Sequence, residues 1–137
     1  MRLFASILAI AALAAGPAFA ADASKAGAPK PKIAGKWSGQ MTHLNTSAKY
    51  PMMLTLDGKT GMTSYPTLKC GGELKRVGKA KGGYRIYRET IKNQPGANCI
   101  DGLITVHVEG DKVVLGWFIS DAGVPSVASA VLKKDAK

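Results

Sequence analysis

A period of two runs through most of this chain. In ITVHV (104–108), Ile104, Val106 and Val108 share a face and leave Thr105 and His107 on the other. In VVLGWFI (113–119), Val113, Leu115, Trp117 and Ile119 share a face. Alternation of this kind is what a sheet with one buried face requires. Further alternating segments are GKWSGQMTH (35–43), with Trp37, Gly39, Met41 and His43 together, and PMMLTL (51–56), with Met52, Leu54 and Leu56 together. MTSY (62–65), GELKRV (72–77), YRIYRETI (84–91) and SVASAVLK (126–133) complete seven or eight strands. DGKTG, GKAKGG and EGDK supply turns, and no stretch has a convincing helical period. Turn signals spaced about 8–12 residues apart predict an all-β antiparallel meander. Closing it into a barrel removes the exposed edges; a small β-sandwich is the alternative.

The first twenty residues read as a signal peptide. Arg2 precedes the apolar run LFASILAIAALAA, and Ala18 and Ala20 supply small residues for cleavage. The break at Gly16-Pro17 argues against an uncleaved anchor, and there is no cysteine at the cleavage point to carry a lipid. The expected product is periplasmic or secreted. Residues 21–32, ADASKAGAPKPK, read as a disordered, basic, Pro-rich lead-in. A single domain is expected over 33–132, with 133–137 as a flexible tail.

Export bears on the two cysteines, Cys70 and Cys99. An oxidising compartment favours pairing them. A catalytic thiol needs a base, and the chain has only His43 and His107, with nothing to place either beside Cys70. Two Cys and two scattered His lack the spacing of a structural zinc site. A disulfide is the expectation, with no metal. In CGG (70–72), the glycines either cradle an anion beside Lys69 and Lys75 or let the chain bend next to the bridge. A P-loop would need further residues and a following helix that are absent.

Charge is concentrated. The chain carries +10, of which Arg2 leaves with the leader. Residues 69–92 hold eight bases (Lys69, Lys75, Arg76, Lys79, Lys81, Arg85, Arg88 and Lys92) against Glu73 and Glu89. Residues 33–68 and 93–132 together have four bases against five acids. An anionic polymer or surface is therefore a candidate partner for 69–92, and a solvated hairpin face is the plain alternative. Nucleic acid is not expected of an exported protein.

Within YRIYRETI, Arg88 and Glu89 are adjacent, so one of them faces inward. A buried charge must be paired or hydrogen-bonded. The expected partners are a lysine for Glu89 and Asp101 for Arg88. Trp37, Trp117, Tyr50, Tyr65, Tyr84, Tyr87 and Phe118 are candidates to line a small-molecule cup or to pack the core and rim. The candidate ligand-binding set is Lys69, Lys75, Arg76, Arg85, Arg88, Glu89, Tyr65 and Trp117. No Ser/His/Asp arrangement or paired acid/base group is visible, so no catalytic residues are assigned and no enzyme activity or cofactor is expected.

The string GKWSGQM…YPMMLTLDGKTG…YPTLKCGGEL…YRETI…CIDGLITV resembles a poorly characterised bacterial extracytoplasmic β domain. The likeness rests on Gly35, Trp37, Gly39, Tyr50, Pro51, Tyr65, Pro66, Cys70, Gly72, Leu74, Arg88, Glu89, Cys99 and Gly102. Such domains occur as exported stand-alone proteins and appended outside receptor-type serine/threonine kinases. The opening G-x-W is also similar to that of lipocalin- and avidin-like barrels, although the Cys-Gly-Gly element is foreign to them. The resemblance implies an envelope binding or sensor module, monomeric by default, and no reaction. A hydrolase inhibitor or other protein-binding module is the second class. Against a basic lysozyme, the chain's positive charge would be repulsive.

Overall fold

A computed structural model describes residues 33–119 and 127–137. The signal peptide and lead-in expected over 1–32 lie outside the described residues. Eight strands follow one another: β1 (Ala34–His43), β2 (Lys49–Asp57), β3 (Thr60–Tyr65), β4 (Cys70–Lys79), β5 (Arg85–Asn93), β6 (Gly102–Glu109), β7 (Lys112–Phe118) and β8 (Val127–Lys134). Each pairs antiparallel with the next, and β8 returns to pair with β1, closing a barrel. The expected meander is therefore a barrel and not a sandwich.

The alternation sets the interior. Trp37 and Met41 from β1, Met52, Leu54 and Leu56 from β2, and Leu74 from β4 are buried together. Tyr87, Ile104, Val106, Val113, Leu115, Ala128, Ala130 and Leu132 continue the core around the barrel. Cross-strand pairing matches large residues with small ones near one end, Met41 opposite Ala130 and Trp117 opposite Ala128. Small partners leave room for big side chains in a narrow barrel interior.

The two ends differ. At one end lie the tight connections after β2, β4 and β6. There the Tyr87 hydroxyl donates to the Gly58 carbonyl (2.9 Å) and a bulge displaces Val77 outward between Arg76 and Gly78. This end also receives the chain terminus. The sequence reading closed the domain at 132, but β8 runs to Lys134, and Asp135 N–H donates to the Lys36 carbonyl (2.9 Å). The Asp135 carboxylate accepts from Ser38 Oγ (2.6 Å), so residues 133–135 belong to the ordered domain and not to a loose tail.

At the other end, called the mouth below, lie the connections after β1, β3 and β5, of which that after β5 is the longest among the described residues. A 3₁₀ turn (Pro66–Leu68) leads through Lys69, at φ 55°, into Cys70. Cys70 is bonded to Cys99 across 29 residues of sequence. The loop carrying Cys99 is held by several further bonds: Asn93 exchanges two with the Cys99 backbone (2.9 and 3.0 Å), Gln94 N–H donates to the Lys69 carbonyl (3.0 Å), and Asp101 accepts from Ile91 N–H (2.7 Å). The bridge thus ties this loop to the start of β4. Closing a loop of this length contributes about 3–4 kcal/mol through the unfolded state. Reduction, or Cys70→Ala with Cys99→Ala, is expected to lower unfolding free energy in urea by about that amount while leaving the far-ultraviolet β signature in place. Unchanged stability on reduction would contradict the assignment.

Candidate functional site

The site is built around one acid. Glu89 follows Tyr87 on the inward face of β5 and has no solvent exposure. Its neighbours in the register are Leu74 on β4 and Gly102 on β6. Aromatic residues aside, Thr63 and Glu89 are the only polar or charged residues buried among the described residues, and they are bonded to each other. The Glu89 Oε1 atom accepts from Thr63 Oγ1 and from the Tyr65 hydroxyl (2.9 Å). The Oε2 atom accepts from the Trp117 indole N–H (2.8 Å).

Every one of these donors is neutral. The expectation of a lysine beside Glu89 is corrected: among the described residues no Lys or Arg is buried, since most bases take outward positions and the inward-register Arg76 and Arg85 are half-buried toward the far end. Arg88 is exposed, and it forms no ion pair with Asp101, whose carboxylate is engaged by the Ile91 backbone. Burial raises the Glu89 pKa above the usual carboxylate value; the Thr63, Tyr65 and Trp117 bonds oppose that rise without cancelling it. Burial, and then the charge on Glu89, also push the Tyr65 and Tyr50 phenols upward, so both stay protonated.

Two glycines make the arrangement possible. A Cβ on Gly72 would lie 2.5 Å from Glu89 Cγ and 2.8 Å from its Oε1. A Cβ on Gly102 would lie 2.7 Å from the Trp117 ring. These are slots in the barrel wall, one for the acid and one for the indole that reaches it. Gly71 and Gly72 both pair within the β3–β4–β5 ladder, so CGG is regular strand with a close side-chain approach, in place of both the anion cradle and the bend beside the bridge.

Above Glu89 the mouth opens into a cavity of about 320 Å³. Its walls include Met41, Leu68, Ile91, Ile100 and Ile119, together with the rings of His43, Tyr50, Tyr65 and Trp117. Those rings form a continuous set of contacts. Tyr50 meets Tyr65 edge-on at 6.0 Å, His43 meets Tyr50 at 6.0 Å, and His43 meets Trp117 at 6.4 Å between centroids. The disulfide-bearing loop contributes Gly96, Ala97, Asn98 and Cys99 to one side. Residues 120–126, between β7 and β8 in the sequence, lie outside the described residues.

Of the candidate residues read from sequence, Tyr65, Glu89 and Trp117 meet in one hydrogen-bonded group. The basic candidates do not join them. Lys69 is exposed on the rim, where its backbone carbonyl receives Gln94. Lys75 and Arg88 sit opposite each other on the outer face of β4 and β5. Arg76 and Arg85 are half-buried toward the far end. Among the seven aromatic candidates, Trp37 and Tyr87 are core, and Tyr84 stacks on His107 (4.8 Å) away from the mouth. Thr63 and His43 were not assigned to a site by the sequence reading. Thr63 had a usable signal, two residues before Tyr65 and therefore on the same strand face. Among the described residues no three His, Cys, Asp or Glu side chains converge as a metal-ligand group.

No family model, curated protein or solved structure matches the chain.

The raised Glu89 pKa has a stability consequence with a definite sign. The folded state binds the Glu89 proton more tightly than the unfolded chain does. The contribution is therefore fully present below the unfolded value, near 4.5, and is lost as pH rises through the higher folded value. His43, Tyr50, Tyr65 and the exposed Asp101 are the other titratable groups near this carboxyl. Glu89→Gln keeps the shape and removes the titration. In urea unfolding across pH, wild type is expected to gain on Glu89→Gln as pH falls from 7 toward 4.5. Parallel pH profiles for the two proteins would contradict a burial-raised acid.

Proposed function

We propose that this chain is an exported binding or sensor module of the cell envelope that holds a small ligand in the barrel mouth. The observation that carries this reading is the aromatic-walled cavity of about 320 Å³ floored by the buried Glu89 group. Small-molecule sites are concave and mostly apolar, with a few convergent polar groups and perturbed acids. The mouth has each of these attributes. The leader at 1–20 and the Cys70–Cys99 bridge support a periplasmic or secreted location. The likeness to an extracytoplasmic β domain is in keeping with it, since Trp37, Cys70, Glu89 and Gly102 are structurally used here.

One observation favours a second contact surface. Lys75 and Arg88 are direct cross-strand neighbours on an exposed face, and among the described residues neither is ion-paired. Like charges in that position are destabilising, and an anionic polymer or surface would relieve the repulsion. Salt-sensitive retention on lipopolysaccharide or peptidoglycan, lost in Lys75→Glu/Arg88→Glu, is the expected outcome for that face; retention indifferent to salt would dismiss it.

The mouth itself is tested by native mass spectrometry of the protein purified from its own envelope. Wild type is expected to carry a small molecule that dissociates on activation, and Ile91→Trp, which fills the cavity, is expected to carry none. A ligand-free wild type, or an adduct indifferent to the filled mouth, would remove the proposal.

A further inference from the structure

The chemistry of the mouth specifies more than a small ligand. Resting on the reading of the mouth as a binding site, we infer that the ligand is an organic cation, an alkylated ammonium with an apolar body, received by the rings of His43, Tyr50, Tyr65 and Trp117 in front of the Glu89 carboxylate.

Glu89 is an acid whose bonds come only from two hydroxyls and an indole. Hydrogen bonds from neutral groups solvate a carboxylate without neutralising it, and nothing basic is buried with it. The barrel thus holds an acid with no basic partner directly beneath a cavity; the bases on inward register, Arg76 and Arg85, are half-buried at the far end, and the others are exposed. The field of the acid opposes an anion in the mouth and favours a cation.

The lining agrees with the charge. A cation within about 6 Å of an aromatic centroid is attracted by the ring quadrupole, and quaternary ammonium groups are held by several rings at once. Here four rings contact one another around the cavity, with centroids 6.0–6.4 Å apart. Two of the four donate a hydrogen bond to Glu89. Donation to an anion polarises the donor, so the Tyr65 phenol and the Trp117 indole become more electron-rich toward a guest. Glu89 has no exposed surface, so it acts through these rings and through its field; it is a positioning group. A bulky ammonium, already weakly hydrated, can use that arrangement without a direct ion pair. A small, strongly hydrated metal ion would require oxygen ligands that the apolar walls do not supply.

The outer basic face has the opposite preference. The same chain therefore separates two electrostatic environments: exposed cations at Lys75 and Arg88, and an enclosed acid at Glu89.

The test uses the oxidised, full-length secreted protein and three probes of similar size: choline, its uncharged isostere dimethylbutanol, and benzoate. Binding is followed by calorimetry and by the side-chain N–H resonance of Trp117. Choline is expected to shift that resonance and to bind about tenfold more tightly than the isostere, with benzoate weakest. Glu89→Gln can still bond Trp117 through its amide oxygen and the hydroxyls through its amide nitrogen. It is expected to lose most of the preference for choline while keeping its affinity for the isostere. Tyr50→Leu, which keeps an apolar wall but removes one ring, is expected to weaken choline about fivefold and the isostere little. Equal binding of choline and isostere, both abolished by Ile91→Trp, would overturn the cation assignment and leave the mouth as a site. A preference for benzoate would overturn it as well. No shift of Trp117 with any probe, together with a ligand-free protein from the envelope, would remove the site itself.

Discussion

A carboxylate buried in a β-barrel must be solvated by the barrel. The Glu89 group does this with three neutral donors, from Thr63 and Tyr65 on β3 and Trp117 on β7. Leaving such an acid without partners would cost several kcal/mol, more than one side chain's burial returns. The surrounding architecture follows from that need. Gly72 gives the acid room to lie against β4, Gly102 gives the indole room to cross β6, and Ala128 leaves space on the other side of the indole. One polar interaction therefore explains small residues in three strands. It also holds two of the four mouth rings in fixed orientations, so the pocket is organised before anything enters it.

The barrel is asymmetric for related reasons. The end opposite the mouth is closed by short turns, by the Tyr87–Gly58 bond and by the terminal Asp135 contacts. The mouth carries the long β5–β6 connection, and its stability is supplied locally. The Cys70–Cys99 bridge, the Asn93 pair and the Asp101 carboxylate fasten the loop after β5 to the neighbouring strands. A rigid scaffold with loops fastened around one opening is the usual way a β fold presents a binding surface.

Charge is arranged by face. Positions on β4 and β5 alternate between a mostly apolar interior and a basic exterior; the inward exceptions are the buried Glu89 toward the mouth and the half-buried Arg76 and Arg85 toward the far end. Solvation of Glu89 by neutral groups leaves the chain's positive charge and its enclosed acid unpaired with each other. The Lys92–Glu73 ion pair is on the exposed surface, where it is screened and contributes little. The distribution therefore bears on what approaches each face more than on how the barrel holds together.

Much of the architecture was legible from local pattern. The period of two placed Met52, Leu54 and Leu56, and Ile104 and Val106, on buried faces, and strand limits agree within a few residues. Adjacency of Arg88 and Glu89 required one inward charge but did not say which; the buried Tyr87, two residues earlier on the same face, shows it to be the acid. What the pattern could not supply was the partner. Opposite charge makes a lysine the expected match for Glu89, yet the inward positions near it hold no base. Thr63 and Trp117 are 26 and 28 residues away, and only the register of β3 against β4 and the closure of the barrel bring them to the acid. Gly72 was similarly ambiguous in sequence, because a glycine records that space is needed but not what fills it. Local alternation, set by the two-residue pleat, determined the strands and their faces. Cross-strand register and closure, which depend on contacts far apart in the chain, decided that an acid, two phenols, an imidazole and an indole share one mouth.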